Sequence, residues 1–104
     1  MTVAETLRRC KGVLADHYGQ QFMGLVLYGS TARRQARRGS DIDMLVLLKQ
    51  PFDYVSELRQ IIDLLYSIQL DSDRLLSVKP ALYDEYERGR IQLYRNARRQ
   101  GVRL

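Results

Sequence analysis

Cysteine occurs once in this 104-residue chain and histidine once. Cys10 has no partner for an internal disulfide, which fits a reducing compartment and makes the cytoplasm the expected location. Together with His17 it also falls short of the four ligands of a structural zinc site. Long hydrophobic runs are missing: no stretch reaches the ~18–20 apolar residues of a membrane span. The N-terminus, MTVAETLRRCKG, lacks the apolar core of a signal peptide. Two prolines and seven glycines are too few for a disordered or linker-rich chain. Lysine is scarce as well, so the net charge of +5 rests on fourteen arginines and only three lysines. The planar guanidinium fork suits bidentate phosphate contacts. A polyanionic ligand, an acidic partner and a plain solubilising surface all fit that composition. The length leaves room for one domain, residues 1–104.

What is present falls into short, well-marked segments. Thr2-x-x-Glu5 reads as a capping box opening a helix to about His17. Its apolar stripe is Val3, Leu7, Cys10 and Leu14, which makes Cys10 a buried, inert thiol. Phe22–Tyr28 and Asp41–Leu48 have the length and β-branched content of buried strands. Thr31–Arg37 reads as a short helix between them, with Arg33, Arg34, Arg37 and Arg38 crowded along it. Asp53 is the expected N-cap of a long helix to about Ile68, its core face Val55, Leu58, Ile62, Leu65 and Ile68. Arg74–Lys79 reads as a third strand ending before Pro80. Tyr83–Arg88 is an acidic helical stretch, and Arg90–Gln100 a terminal helix with Gly101 at its C′ position. The order predicts an α/β (α+β) domain, a small mixed three-stranded sheet with helices packed mainly on one face.

The chemistry concentrates between Leu25 and Leu48. Gly29-Ser30 closes the first strand and opens the short helix, a place where backbone N–H groups can receive phosphate oxygens. Asp41 and Asp43 open the second strand. Alternation puts them on one side, roughly 7 Å apart at about 3.3 Å per residue. Two like charges at one site repel unless a cation compensates, and such a pair suits one or two divalent ions serving phosphoryl or nucleotidyl transfer. A lone Asp-x-Asp is often two surface acids and a lone Gly-Ser often a turn. Their conjunction, with Arg33 one turn from Ser30, is what points to a nucleotide.

Gly29-Ser30-x10-Asp41-x-Asp43 resembles the signature of the polymerase-beta-like nucleotidyltransferase superfamily. The fuller pattern Leu27-Tyr28-Gly29-Ser30-Thr31-Ala32-Arg33 … Ser40-Asp41-Ile42-Asp43 is similar to the minimal nucleotidyltransferases, often antitoxin partners of HEPN-domain toxins. The resemblance implies the polymerase-beta-like nucleotidyltransferase fold, with Gly29 and Ser30 at the nucleotide phosphates; Arg33, within one turn of Ser30, could reach them too. Asp41 and Asp43 would be the catalytic pair holding Mg²⁺, one ion or two. ATP would be the substrate, its AMP passing to a tyrosine of the HEPN toxin and silencing that ribonuclease. A domain this small also lacks an evident second lobe to hold a small substrate, which favours a protein supplying the other half of the site in a homo- or hetero-oligomer. One departure stands out. A third carboxylate usual on a later strand is replaced here by Ser77, with Lys79 alongside, unless Asp71 or Asp73 substitutes. Two other readings therefore stay open: an antitoxin that acts by binding alone, and a transferase acting on RNA or a small molecule. Against RNA, the seven tyrosines form no stacking platform.

Overall fold

Two apolar strands form the centre of the sheet because their side chains are buried on both faces. β1 spans Phe22–Tyr28 and β2 spans Ile42–Leu48, paired antiparallel from Phe22↔Leu48 to Tyr28↔Asp43. The structure, a computed structural model, describes residues 1–29 and 40–104. The predicted helix Thr31–Arg37 and its arginines lie outside them. One bulge interrupts the β1–β2 register, between Phe22 and Gly24, where Met23 is the extra residue.

Alternation along β1 and β2 divides the core in two. Leu25, Leu27, Ile42, Met44, Val46 and Leu48 face one side, and Val26, Leu45 and Leu47 the other. The first side is covered by α1 (Val3–Tyr18), α2 (Tyr54–Leu64) and α3 (Tyr66–Asp71). The second is covered by the shorter α4 (Tyr83–Arg88) and α5 (Gln92–Gln100), through Tyr86 and Ala97. The bulk of the helical cover thus lies on one face, as expected, and the opposite face is roofed too.

α1 starts where the Thr2 hydroxyl accepts from the Glu5 amide at 3.1 Å, and it stops at Gly19, whose φ is 58°. Leu7, Cys10 and Leu14 are buried along its inner stripe. Burial pushes the Cys10 thiol up to about 11, against a smaller downward pull from Arg9, so it is neutral at physiological pH. Tyr18 donates to Glu57 at 2.5 Å and ties α1 to α2.

Asp53 caps α2 through its carboxylate and the Ser56 amide, 3.0 Å apart. The expected single helix to Ile68 breaks at Leu65, whose φ and ψ are −95° and 3°, and resumes as α3. Of the predicted core face, Leu65 and Ile68 are buried and Leu58 is half-buried, whereas Val55 and Ile62 are more than half exposed and Ile61 is buried in place of Ile62. One residue along a helix turns the side chain by about 100°, enough to move it from core to water.

The third strand differs from its predicted bounds. β3 runs Leu76–Leu82, parallel to β2 from Ile42↔Leu76 to Leu48↔Leu82, with Pro80 inside it. The sheet order β3-β2-β1-β4 puts β3 on an edge. Because the Ile42 amide donates to Leu75, alternation turns the nitrogen of Pro80 to the free edge, where no ladder bond is lost. Gln69 fixes where β3 begins: its amide donates to the Arg74 carbonyl at 2.9 Å and its carbonyl accepts from Leu76 at 2.8 Å.

The sheet has four strands rather than three. After α5 the chain passes Gly101 at φ −87°, not the left-handed C′ geometry expected, and forms β4 (Val102–Arg103) antiparallel to β1. A Cβ at Gly101 would collide with the carbonyls of Ala97 and Leu27, so glycine is what lets the chain return to β1.

Candidate functional site

The Tyr28↔Asp43 pairing brings the end of β1 level with the start of β2. Gly29 then leaves the sheet at φ 75°, in the left-handed region that glycine tolerates. A Cβ built there would lie 2.5 Å from Oδ2 of Asp43 and 3.3 Å from its Cγ. The Asp43 carboxylate therefore occupies the space a side chain at position 29 would need. The glycine corner and the second acid form one place. Asp41 lies just ahead of β2, exposed to solvent and electrostatically coupled to Asp43.

Parallel pairing sets Ser77 directly across from Asp43. The Ser77 hydroxyl acts on the Asp43 carboxyl as a hydrogen-bonding group that favours its charged form. Lys79, two residues on and so on the same face, points its ammonium to the Tyr28 hydroxyl, 3.3 Å away. Tyr28 belongs to β1 and Lys79 to β3, so the two side chains meet above β2, beside Asp43. The Lys79–Tyr28 pair is not foreseen in the sequence. Ser77 and Lys79 share parity within the predicted strand, but the register that sets Ser77 across from Asp43 and the reach of Lys79 over β2 have no local signal.

Burial is the main reason the Asp43 carboxyl lies above its ordinary value, and repulsion from Asp41 adds to it. Lys79 and the Ser77 hydrogen bond work in the opposite direction without reversing it. For Lys79, burial opposes the charge, but Tyr28, Tyr54 and Asp43 together hold its pKa above the usual value.

The alternatives for a third acid do not reach this place. Asp71 closes α3 on the opposite side of the sheet and pairs with Arg9 of α1 at 2.9 Å. Asp73 is exposed in the bend before β3. Among the described residues no three His, Cys, Asp or Glu side chains gather to hold a metal ion. Residues 30–39 contain none of these types. Ser30 and Arg33 lie outside the described residues. A polar cavity of about 360 Å³ lined by His17, Tyr18 and Glu57 sits toward Leu48, the other end of β2.

The nucleotidyltransferase domain family matches residues 7–99, nearly the whole chain. The chain belongs to the nucleotidyltransferase-domain family. Among solved structures, this nucleotidyltransferase-domain chain is similar in fold to one of a toxin-antitoxin with AMP-PNP, at a TM-score of 0.65 and 17% identity. That match covers 98% of this chain and 72% of the other. A mutant of the toxin-antitoxin MntA-HpeT matches at a TM-score of 0.60 and 17% identity, covering 100% of this chain and 72% of that one. No curated protein sequence matches significantly. At that identity the likeness is one of fold, and it agrees with a mixed α/β nucleotidyltransferase architecture. No helix among the described residues is long and apolar enough to cross a membrane.

Proposed function

We propose that this chain transfers a nucleoside monophosphate, AMP from ATP, to a hydroxyl group, a tyrosine on a HEPN-domain toxin that it thereby silences. The observation that carries the reading is the Asp43 carboxylate seated in the Cβ space of Gly29. It joins an acid pair to a glycine corner suited to phosphate oxygens. The fold likeness to chains of toxin-antitoxin complexes supports a toxin as the acceptor.

The donor set fits a hard divalent cation. Carboxylate oxygens are what Mg²⁺ accepts; burial chiefly, with repulsion from Asp41 added, raises the Asp43 pKa, and a bound cation would favour the charged form. Asp41 and Asp43 would hold the ion, which when bound neutralises charge on the phosphates. Gly29 leaves room for the Asp43 carboxylate at the corner itself; the motif assigns Gly29 and Ser30 to the phosphates, and Arg33, three residues on in the sequence, joins them. The acceptor oxygen attacks the α-phosphorus, the bond to the bridging oxygen breaks, and pyrophosphate leaves with that electron pair. The hydroxyl proton passes to water, since Ser77 faces Asp43 where an acid could have served as base. A positioned base typically contributes about 10²–10⁴-fold, so the reaction is slowed by that factor rather than abolished.

That same serine favours a second reading, in which the domain neutralises its partner by binding alone. One experiment separates the two. Wild type and the Asp41→Asn/Asp43→Asn double variant are co-purified with the toxin and incubated with ATP labelled at the α-phosphate. Label on the toxin with wild type only, with complex formation equal in both, supports transfer. Transfer that persists in the double variant refutes the assignment, and neutralisation without any label establishes the binding reading.

A further inference from the structure

We infer that this site takes one divalent cation rather than two, and that Lys79 supplies the other positive charge facing the triphosphate. The inference rests on the transferase reading above and adds what is particular to this chain.

Two metal ions in a nucleotidyl-transfer site stand about 3.5–4 Å apart, so four positive charges would face a protein lining that offers only the two negative charges of Asp41 and Asp43. Asp41 and Asp43 are joined by no third His, Cys, Asp or Glu among the described residues, and residues 30–39 have none to offer. The position across from Asp43 on β3 carries Ser77. Its neutral hydroxyl stands across from Asp43 and adds no charge.

The positive charge comes from the strand itself. Neighbouring strands lie about 4.8 Å apart, so Lys79 on β3 and Tyr28 on β1 are separated by the whole width of β2. Their side chains nevertheless meet, Nζ to the hydroxyl oxygen at 3.3 Å. The ammonium is also 6.0 Å from the centre of the Tyr28 ring. It is therefore held over β2 next to Asp43, on the face where Asp43 and Ser77 point. An ammonium fixed there repels a second dication and attracts phosphate oxygens. The tyrosine that anchors it directly precedes Gly29, so the cation and the glycine corner are set by one short stretch of β1.

The test counts ions. Purified wild-type protein is dialysed against Mn²⁺ and a non-hydrolysable ATP analogue, and bound metal and nucleotide are measured, with Mn²⁺ also read by electron paramagnetic resonance. One Mn²⁺ per bound nucleotide is expected. The Ser77→Asp/Lys79→Met variant, which restores an acid and removes the ammonium, is expected to bind two. Lys79→Met alone weakens nucleotide binding by at least about tenfold, the size of a lost contact to a charged group, and Lys79→Arg restores most of it. Two Mn²⁺ in wild type overturn the inference while leaving the transferase reading intact. A double variant that stays at one ion, or unchanged nucleotide affinity in Lys79→Met, also overturns it. Neither metal nor nucleotide bound to wild type defeats the transferase reading and this inference with it.

Discussion

Replacing Gly29 with alanine tests the central geometry directly. At φ 75° the backbone sits where an L-residue costs about 1–2 kcal/mol. The added methyl would lie 2.5 Å from Oδ2 of Asp43, so that carboxylate must move as well. For a domain of this size about 1 kcal/mol shifts Tm by roughly 4–8 °C. The expected loss is therefore about 5–15 °C. Gly89→Ala is the matched control. Its φ is 62° and its methyl would meet Cγ of Arg95 at 2.8 Å, so it carries a similar backbone cost with one side chain displaced. Arg95 hydrogen-bonds the Gly89 carbonyl and Gln92. Both variants should lose comparable stability in a thermal melt without metal. Only Gly29→Ala should also lose Mn²⁺ and nucleotide binding, by about tenfold or more. Equal binding by the two variants, or a Gly29→Ala protein as stable as wild type, would refute the claim that glycine is there to admit Asp43.

Asp43→Asn should raise the Tm of the metal-free protein near pH 7.5, measured in chelator. Burial first, then Asp41, lifts the folded-state pKa of Asp43 above 3.8, so its favourable contribution exists below that pH and is lost as pH rises through the folded value. The gap between variant and wild type should close as pH falls toward 4, and a gap that widens there contradicts the assignment. Asp71→Asn should cost no more than about 1 kcal/mol, because its pair with Arg9 is exposed on both sides. It should leave label transfer to the toxin unchanged, and a large loss of transfer would return Asp71 to the site.

How far the sequence foretold this arrangement depended on burial. β1 and β2 are hidden on both faces, so their residues form unbroken apolar runs, and the bounds of β1 read from the chain match the structure. The Thr2 and Asp53 caps were legible because a side-chain acceptor at the start of a helix has a local signature. β3 was cut short because Pro80 was read as a stop, and only the sheet order reveals that its nitrogen faces an open edge. β4 is two residues, too short for any periodicity. In α2 the adjacent Ile61 and Ile62 are equally apolar, so composition does not say which of them faces the core, and it is Ile61. At the site, alternation predicts that Asp41 and Asp43 share a side; β2 begins at Ile42, which leaves Asp41 just ahead of the strand and within electrostatic reach of Asp43. The meeting of Lys79 with Tyr28 was not legible, because it crosses a strand and joins residues 51 positions apart.

Asp43 also bears on the choice between a transferase and a domain that only binds. Its carboxyl is partly buried near another acid, and its protonated form is the one the fold favours. An asparagine would keep an acceptor for Ser77 and relieve the repulsion from Asp41. For a domain whose whole task was docking, the acid would be a local cost with no return. Sequences specify folds through mutually consistent choices, and departures from consistency collect where chemistry is done. Here the departure is doubled, since the neighbouring position must be a glycine with positive φ to make room for that same acid. Two adjoining costs that serve one carboxylate are accounted for together if its task is to hold a cation against phosphate.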